Sequence, residues 1–267
     1  MQLNCKCNSI ALQKKEKKLR YHIVILTFIL GMISDCEVFK AKKKSDNSSA
    51  LAAAFLASQG GCTSSTASSI GGSTRTSFNV SGTSCASGLA AIGFTGEGLT
   101  AGLTGSGTGS RLASTGTFSA GGEKKMNIEV TFLLTDSSGY LDVIGNASVS
   151  GTQATGPAIR LKSSGTDVLA SGSSTGSAPD SGGNTAAGTG SEKTYCLEFH
   201  EENGTHLFGW PKSCASLSDS EKGSYTINKE GLTSANPGSR MGFILNKAVL
   251  KSFIVTSGKI GTAGSLQ

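Results

Sequence analysis

The feature that most constrains the fold is an alternation of apolar and polar residues from Met126 to Leu134. Every second residue in this stretch is apolar, and Asn127, Glu129 and Thr131 lie between them. A strand places successive side chains on opposite faces, so a period of two predicts a half-buried β-strand. Turn-forming residues follow at 136–139, and residues 140–144 are the predicted return strand.

Seven more strand-like runs follow, separated by loops rich in Gly, Ser, Pro and Asn. They cover residues 158–162, 166–170, 194–200, 205–208, 224–227, 241–245 and 248–256. Many short strands without a helical pattern between them are typical of an all-β antiparallel β-sandwich, not of a parallel α/β sheet. We expect this sandwich to span residues 63–267, with its best-defined part at 123–262.

Residues 63–122 are dominated by Gly, Ser, Thr and Ala, with short apolar islands. Glycine in a helix interior costs about 1 kcal/mol relative to alanine, so a helix is disfavoured at this glycine density. We therefore predict short strands joined by tight turns, and no helix, in this region. The one helix candidate is the Ala-rich run at residues 50–58.

The N-terminal part carries an export pattern. A lysine-rich lead precedes an apolar run at residues 23–30, which Met32 and Ile33 extend, and two small polar residues and Cys36 follow. An apolar core of roughly eleven residues is too short for a membrane-spanning helix, which needs about 20. The pattern instead predicts a secretory signal. The cysteine suggests a lipoprotein signal at residues 1–35, with Cys36 acylated at the membrane, although Asp35 replaces the small residue usual before such a cysteine.

After Cys36 comes a lysine-rich and then a Ser-, Asn- and Ala-rich stretch. Its characteristic positions are Lys40, Lys42, Lys43, Lys44, Ser45, Asp46 and residues 51–58. Here the chain resembles spirochaetal, in particular leptospiral, outer-membrane lipoproteins. The resemblance implies a protein at the outer membrane or cell surface, joined to the membrane through a flexible, lipid-anchored tether at residues 36–62.

The cysteines and charges are counted after this leader is removed. Cys5 and Cys7 leave with it and Cys36 is acylated, so that four remain: Cys62, Cys85, Cys196 and Cys214. An even set in an exported chain is typical of disulfides, and three pairings are possible. The sequence-local pairing, Cys62 with Cys85 and Cys196 with Cys214, closes the smallest loops and is the one we predict.

The formal net charge of +6 also falls, because six basic and two acidic residues lie in the leader. The remaining +2 has no clustered basic face, so we expect no nucleic-acid partner. No CxxC pair supplies two zinc ligands from one turn. We expect neither a metal nor a cofactor.

One hairpin carries most of the candidate chemistry. Glu198, His200 and Glu202 alternate along the predicted strand, and His206 follows the turn. Two histidines and two carboxylates can form a zinc site or an acid/base pair, but alternation alone also places polar residues on an outer strand face. Glu198 and Glu202 lie about 13 Å apart by strand rise, too far for a glycosidase pair. Trp210 is either a sugar-stacking platform or, as average aromatic burial favours, buried beside Phe208.

A second resemblance lies at residues 242–255. Asn246 stands at a predicted turn, and Val249, Phe253 and Val255 are the apolar positions of the predicted returning strand. This pattern is similar to the closing strand pair of concanavalin A-like (laminin G-like) jelly rolls, over residues 110–262. The resemblance implies glycan or calcium binding at loop ends. The acidic candidates for calcium are Asp136, Asp142 and Asp180, but none of them lies in a DxDxDG-like run, and no loop motif fixes either ligand.

These observations together favour a non-catalytic binding or adhesion module with a glycan or host-matrix ligand. The hypothesis rests on the export signal, the tether and the lack of a catalytic constellation. Two alternatives remain open: a carbohydrate-active enzyme on the same fold, and a structural envelope lipoprotein without a ligand.

Overall fold

The computed structural model describes residues 61–68, 74–119, 122–233 and 238–257. The predicted signal, the acylation site at Cys36 and the helix candidate at 50–58 lie outside these ranges. No helix within them is long and apolar enough to cross a bilayer.

Within these described ranges, fourteen antiparallel strands build the fold, which confirms the all-β prediction. They are β1 Thr63–Ser68, β2 Thr74–Asn79, β3 Phe94–Glu97, β4 Leu99–Thr100, β5 Thr104–Ser114, β6 Met126–Leu134, β7 Tyr140–Ser150, β8 Gln153–Thr155, β9 Ala158–Lys162, β10 Thr166–Leu169, β11 Lys193–Glu201, β12 Thr205–Trp210, β13 Ile227–Leu232 and β14 Arg240–Thr256. The described helices are short: α1 Cys85–Gly88, α2 Asp219–Lys222, and the 3-10 turns Leu89–Ile92 and Cys214–Ser216.

Strand β14 organises the sheets because it changes partners along its length. Its first half pairs with β5 and β7, and its second half pairs with β6 and β2. The described strands are joined into one hydrogen-bonded network through β14. Its pairings divide this network into a first sheet of order β10-β9-β7-β14-β5-β3, which contains the first half of β14, and a second sheet of order β13-β12-β11-β6-β14-β2-β1, which contains the second half. β8 pairs with β7, and β4 pairs with β5.

The change of partner occurs at a bulge between Asn246 and Ala248, where Lys247 has a φ of 49°. The prediction of a turn at Asn246 with a strand that runs back is wrong. Both edges of each half of β14 are occupied by other strands, so the halves do not pair with each other. A bulge bends a strand and increases its local twist, and this bend carries β14 from one sheet into the other.

The two sheets pack face to face, as expected of a β-sandwich. The rings of Phe243 and Phe253, from the two halves of β14, have centroids 5.0 Å apart. A Cβ atom added at Gly145 of β7 would lie 2.3 Å from Cγ of Phe199 in β11, so the absence of a side chain lets these strands approach. The alternating apolar residues of β6, from Met126 to Leu134, are buried in this core, as their alternation predicts.

The N-terminal region differs from its prediction. Residues 63–122 contain α1 and the 3-10 turn that follows it, although their composition argued against a helix. Leu89 and Ile92 bury their side chains in the core, and Gly93 ends the turn with a φ of 79°. Cys85 at the start of α1 is bonded to Cys62. Tertiary packing and a crosslink thus stabilise a segment that propensity alone disfavours.

Candidate functional site

The hairpin of β11 and β12 brings four predicted residues together. Nδ1 of His200 lies 2.9 Å from Oε1 of Glu198, and its Nε2 lies 3.8 Å from Oε2 of Glu202. His200 is directly opposite His206 in the strand register, and their rings stack with centroids 4.9 Å apart. The alternation correctly placed these side chains on the face that points away from the main core.

That face is not open, however, because residues 211–226, here called the cover segment, lie over it. The disulfide Cys196–Cys214, which confirms the predicted pairing, ties the segment to β11. Glu129 of β6 accepts a hydrogen bond from the backbone N–H of Cys214 at 2.7 Å. The ring of Tyr225 stacks on Phe208 at 3.7 Å. Glu198 and His200 are consequently buried.

Trp210 is also beneath the cover segment. It is 1% exposed, and its Nε1–H donates to the carbonyl oxygens of Glu221 and Ser224 at 2.8 and 3.2 Å. A ring that is buried and bonded in this way offers no face on which a sugar can stack. Trp210 is therefore the buried aromatic that average burial favours.

The described residues also provide no metal centre. Nowhere among them do three His, Cys, Asp or Glu side chains converge as a metal would require. The four polar residues of the hairpin lie beneath or beside the cover segment. We interpret them as a structural cluster and not as a metal site.

A second candidate site lies on the outer face of the first sheet. Tyr140, Asp142 and Ile144 of β7 alternate with the core residues Leu141 and Val143, so they point away from the core. On β9, Ala158 and Arg160 do the same. With the loop after β10 and the short strand β8, these residues enclose a cavity of about 370 Å³, here called the Arg160 pocket.

The Arg160 pocket has an apolar floor and polar surroundings. Ile144, Ala158 and Ile244 pack together at its base. Gln153, Thr155 and Ser173 also line it. Cγ2 of Thr155 lies 3.6 Å from where a Cβ atom at Gly172 would be, so β8 and the loop after β10 approach closely at this point, here called the rim.

One end of the pocket holds a buried ion pair. Nε and Nη2 of Arg160 donate to the two carboxylate oxygens of Asp142 at 2.6 and 2.8 Å, and Nη1 donates to the carbonyl oxygen of Ser174 at 3.3 Å. Cζ of Arg160 lies 4.0 Å above the ring of Tyr140. The side chains of Arg160 and Asp142 are 16% and 2% exposed. The two hydrogen bonds to Asp142 and the contact with the Tyr140 ring fix the orientation of the guanidinium plane.

The burial of this end changes its acid–base properties. Desolvation raises the pKa of Asp142 above its ordinary value, while the hydrogen bonds from Arg160 oppose that rise. The hydrogen bond with Asp142 raises the pKa of Arg160. Desolvation also raises the pKa of Tyr140. Because both oxygens of Asp142 accept N–H groups from an always-protonated guanidinium, the two residues form a charged pair with no net charge.

Asp142 is the one residue of this pocket that the sequence singled out. It was a loop-end candidate for calcium without a calcium-loop motif, and it lies instead within β7, where it pairs with Arg160. Asp142 and Arg160 are 18 residues apart and become neighbours only through the register of β7 and β9. The available signal was an acidic and a basic residue on polar-face positions of successive strands. The other two candidates, Asp136 and Asp180, pair with Lys247 and Lys229.

Comparison with known proteins gives weak similarities only. No protein-family model matches the chain, and no curated protein matches it. Among solved structures, the carbohydrate binding module CBM66 from Bacillus subtilis is 11% identical over 73% of this chain and 91% of its own, with a TM-score of 0.30. The carbohydrate recognition domain of Emp46p is 12% identical over 80% of this chain and 91% of its own, with a TM-score of 0.34.

A sialidase from Trypanosoma rangeli is 9% identical over 60% of this chain, with a TM-score of 0.34. The chain spans only 26% of that enzyme's length. At these TM-scores the similarities carry no argument about function. The sandwich architecture rests on the strand pairing and the contacts between the sheets described above.

Proposed function

We propose that this protein is a non-catalytic glycan-binding module, held at the outer-membrane surface by acylated Cys36. The observation that carries the proposal is the Arg160 pocket. A sugar ring has an apolar C–H face and an edge of hydroxyl groups. The pocket offers an apolar floor beside a fixed guanidinium and short polar side chains, the combination that characterises small-ligand sites.

The acidic residues argue for binding rather than hydrolysis. A glycosidase places two carboxyl groups roughly 5 to 9.5 Å apart across the scissile bond. Among the described residues that line the Arg160 pocket, Asp142 is the only acidic one, and both of its oxygens are engaged by Arg160. A carboxylate held in this way is unsuited to act as a nucleophile or as a general acid.

The proposed location is supported by the cysteines and the leader. Both disulfides of the described chain are formed, as an oxidising compartment outside the cytoplasm permits. The apolar run before Cys36 and the lysine-rich stretch after it supply the signal and the tether of the proposed lipoprotein.

The test is an array of glycans and host-matrix proteins probed with the mature chain. A Thr155→Trp variant should lose binding, because the new indole would fill the rim where Thr155 faces Gly172. Thr233→Trp is the matched control, since Thr233 is also exposed but does not line the pocket. A chain that binds no glycan would refute the proposal, and one that also binds no host-matrix protein would favour an envelope lipoprotein without a ligand. If both variants bind the glycan equally strongly, the binding site lies outside the Arg160 pocket.

A further inference from the structure

We infer that the Arg160 pocket selects uncharged sugars and rejects those that carry a carboxylate. This inference rests on the proposed glycan-binding function and adds the chemical class of the ligand. It follows from the charges of the pocket, from the geometry of its one arginine and from the shape of its floor.

The charges around the pocket cancel in pairs. Asp142 and Arg160 form the buried pair at the polar end. Beside them on the same face, Lys162 of β9 and Asp167 of β10 form a second pair, with Nζ 2.7 Å from Oδ1. Arg160 is the only basic residue among the described residues that line the cavity. An incoming carboxylate therefore meets no cation that is not already neutralised.

The geometry of Arg160 opposes an anion more directly. The fork formed by Nε and Nη2, one of those through which a guanidinium binds a carboxylate in a bidentate manner, is occupied by Asp142, and Nη1 already donates to Ser174. A ligand carboxylate would have to displace Asp142 and leave a carboxylate that is 2% exposed without its partner, or bind beside it and be repelled. Of the five N–H groups of the guanidinium, three make the contacts above. The other two can donate to hydroxyl oxygens, which carry no charge.

The size and floor of the pocket suit one or two neutral sugar rings. Its volume of about 370 Å³ is near the lower end of the roughly 300–1,000 Å³ range of small-molecule sites. Ile144, Ala158 and Ile244 form a floor against which the C–H face of a pyranose can lie. Arg160 is thus a specificity-determining residue: a charged hydrogen-bond donor within a pair that has no net charge.

The first experiment compares matched oligosaccharides that end in a neutral hexose or in the corresponding hexuronic acid, by calorimetric titration of the mature chain at pH 7. We expect the neutral members to bind at least tenfold more tightly. Their affinity should change by less than about twofold between 50 and 500 mM NaCl, because salt screens attraction between charges and not contacts with hydroxyl groups. This part needs no variant.

The second experiment uses Asp142→Asn, which removes the negative charge and leaves Arg160 free to bind an anion. The ratio of acidic to neutral affinity should rise at least tenfold, with thermal unfolding as the check on folding. Asp180→Asn is the control, because it breaks a comparable pair with Lys229 away from the pocket and should leave the ratio unchanged.

The outcomes separate the two proposals. A wild-type chain that prefers the acidic sugars, or whose sugar affinity falls tenfold with added salt, would overturn the inference and leave glycan binding intact. An unchanged ratio in a folded Asp142→Asn variant would also overturn it. A wild-type chain that binds neither class would refute the proposed function itself.

Discussion

Removing Arg160 should destabilise the fold in a way that depends on pH. An Arg160→Met variant keeps the aliphatic volume but leaves Asp142 buried without its cation. Breaking a buried ion pair by removing one partner costs about 3–5 kcal/mol, and the partial exposure of Arg160 places this case near 3 kcal/mol. The contact of the guanidinium with Tyr140 adds roughly 0.5–1 kcal/mol to the loss.

The pH dependence follows from the pKa of Asp142. Burial already raises that pKa, and without the opposing guanidinium the pKa rises further. A carboxyl group with a folded-state pKa above its unfolded value supports folding below the unfolded value, and this support is lost as pH rises through the folded pKa. The loss of unfolding free energy in Arg160→Met, relative to the wild type, should therefore be largest at neutral pH and become smaller as the pH approaches 4.

The assay is urea unfolding followed by the fluorescence of Trp210, the only tryptophan and a buried one. Lys229→Met is the control, because it breaks the more exposed pair with Asp180 and should cost less than about 1 kcal/mol. Adding Asp142→Leu to Arg160→Met should restore most of the loss, since no charge then stays buried. A loss below about 1 kcal/mol in the single variant, or a deficit that does not change with pH, would refute this reasoning.

Three further predictions concern the core, the cover segment and the anchor. Phe253→Ala should lower the free energy of unfolding by about 3–5 kcal/mol, because the ring of Phe253 contacts those of Phe78 and Phe243. A loss near zero, as for an exposed residue, would contradict the sandwich core. Replacing Cys196 and Cys214 by Ala should cost on the order of 3 kcal/mol in the chain-entropy model, and free thiols at both positions in the exported protein would disprove the bridge. Cys36→Ser should abolish incorporation of radiolabelled palmitate, and continued labelling would rule out this acylation site.

The parts of the fold that could be predicted from the sequence are those whose sequence pattern repeats over a few neighbouring residues. The alternation in β6 located a strand and its buried face correctly, because both depend only on neighbouring residues. The two disulfides followed from an even cysteine count and the preference for small loops. Residues 241–256 were predicted as two strands, but their two apolar runs belong to one strand. The partners that keep this strand extended are β2, β5, β6 and β7, which are distant in sequence.

The candidate site shows the same limit. The sequence correctly placed Glu198 and His200 on one face of β11, but it did not reveal that residues 211–226 cover that face. Asp142 and Arg160 could not be paired because the register between β7 and β9 depends on how both strands bury their other faces. Contacts between distant segments, rather than local patterns, therefore decide which polar residues are accessible.

Binding of a glycan in the Arg160 pocket can be located by mapping amide chemical shifts by NMR during titration with a neutral oligosaccharide. We expect the shifts to concentrate on β7, β8, β9 and residues 170–176, with little change at Glu198, His200 and the cover segment. Shifts centred on the hairpin of β11 and β12, with β7 and β9 unaffected, would contradict it.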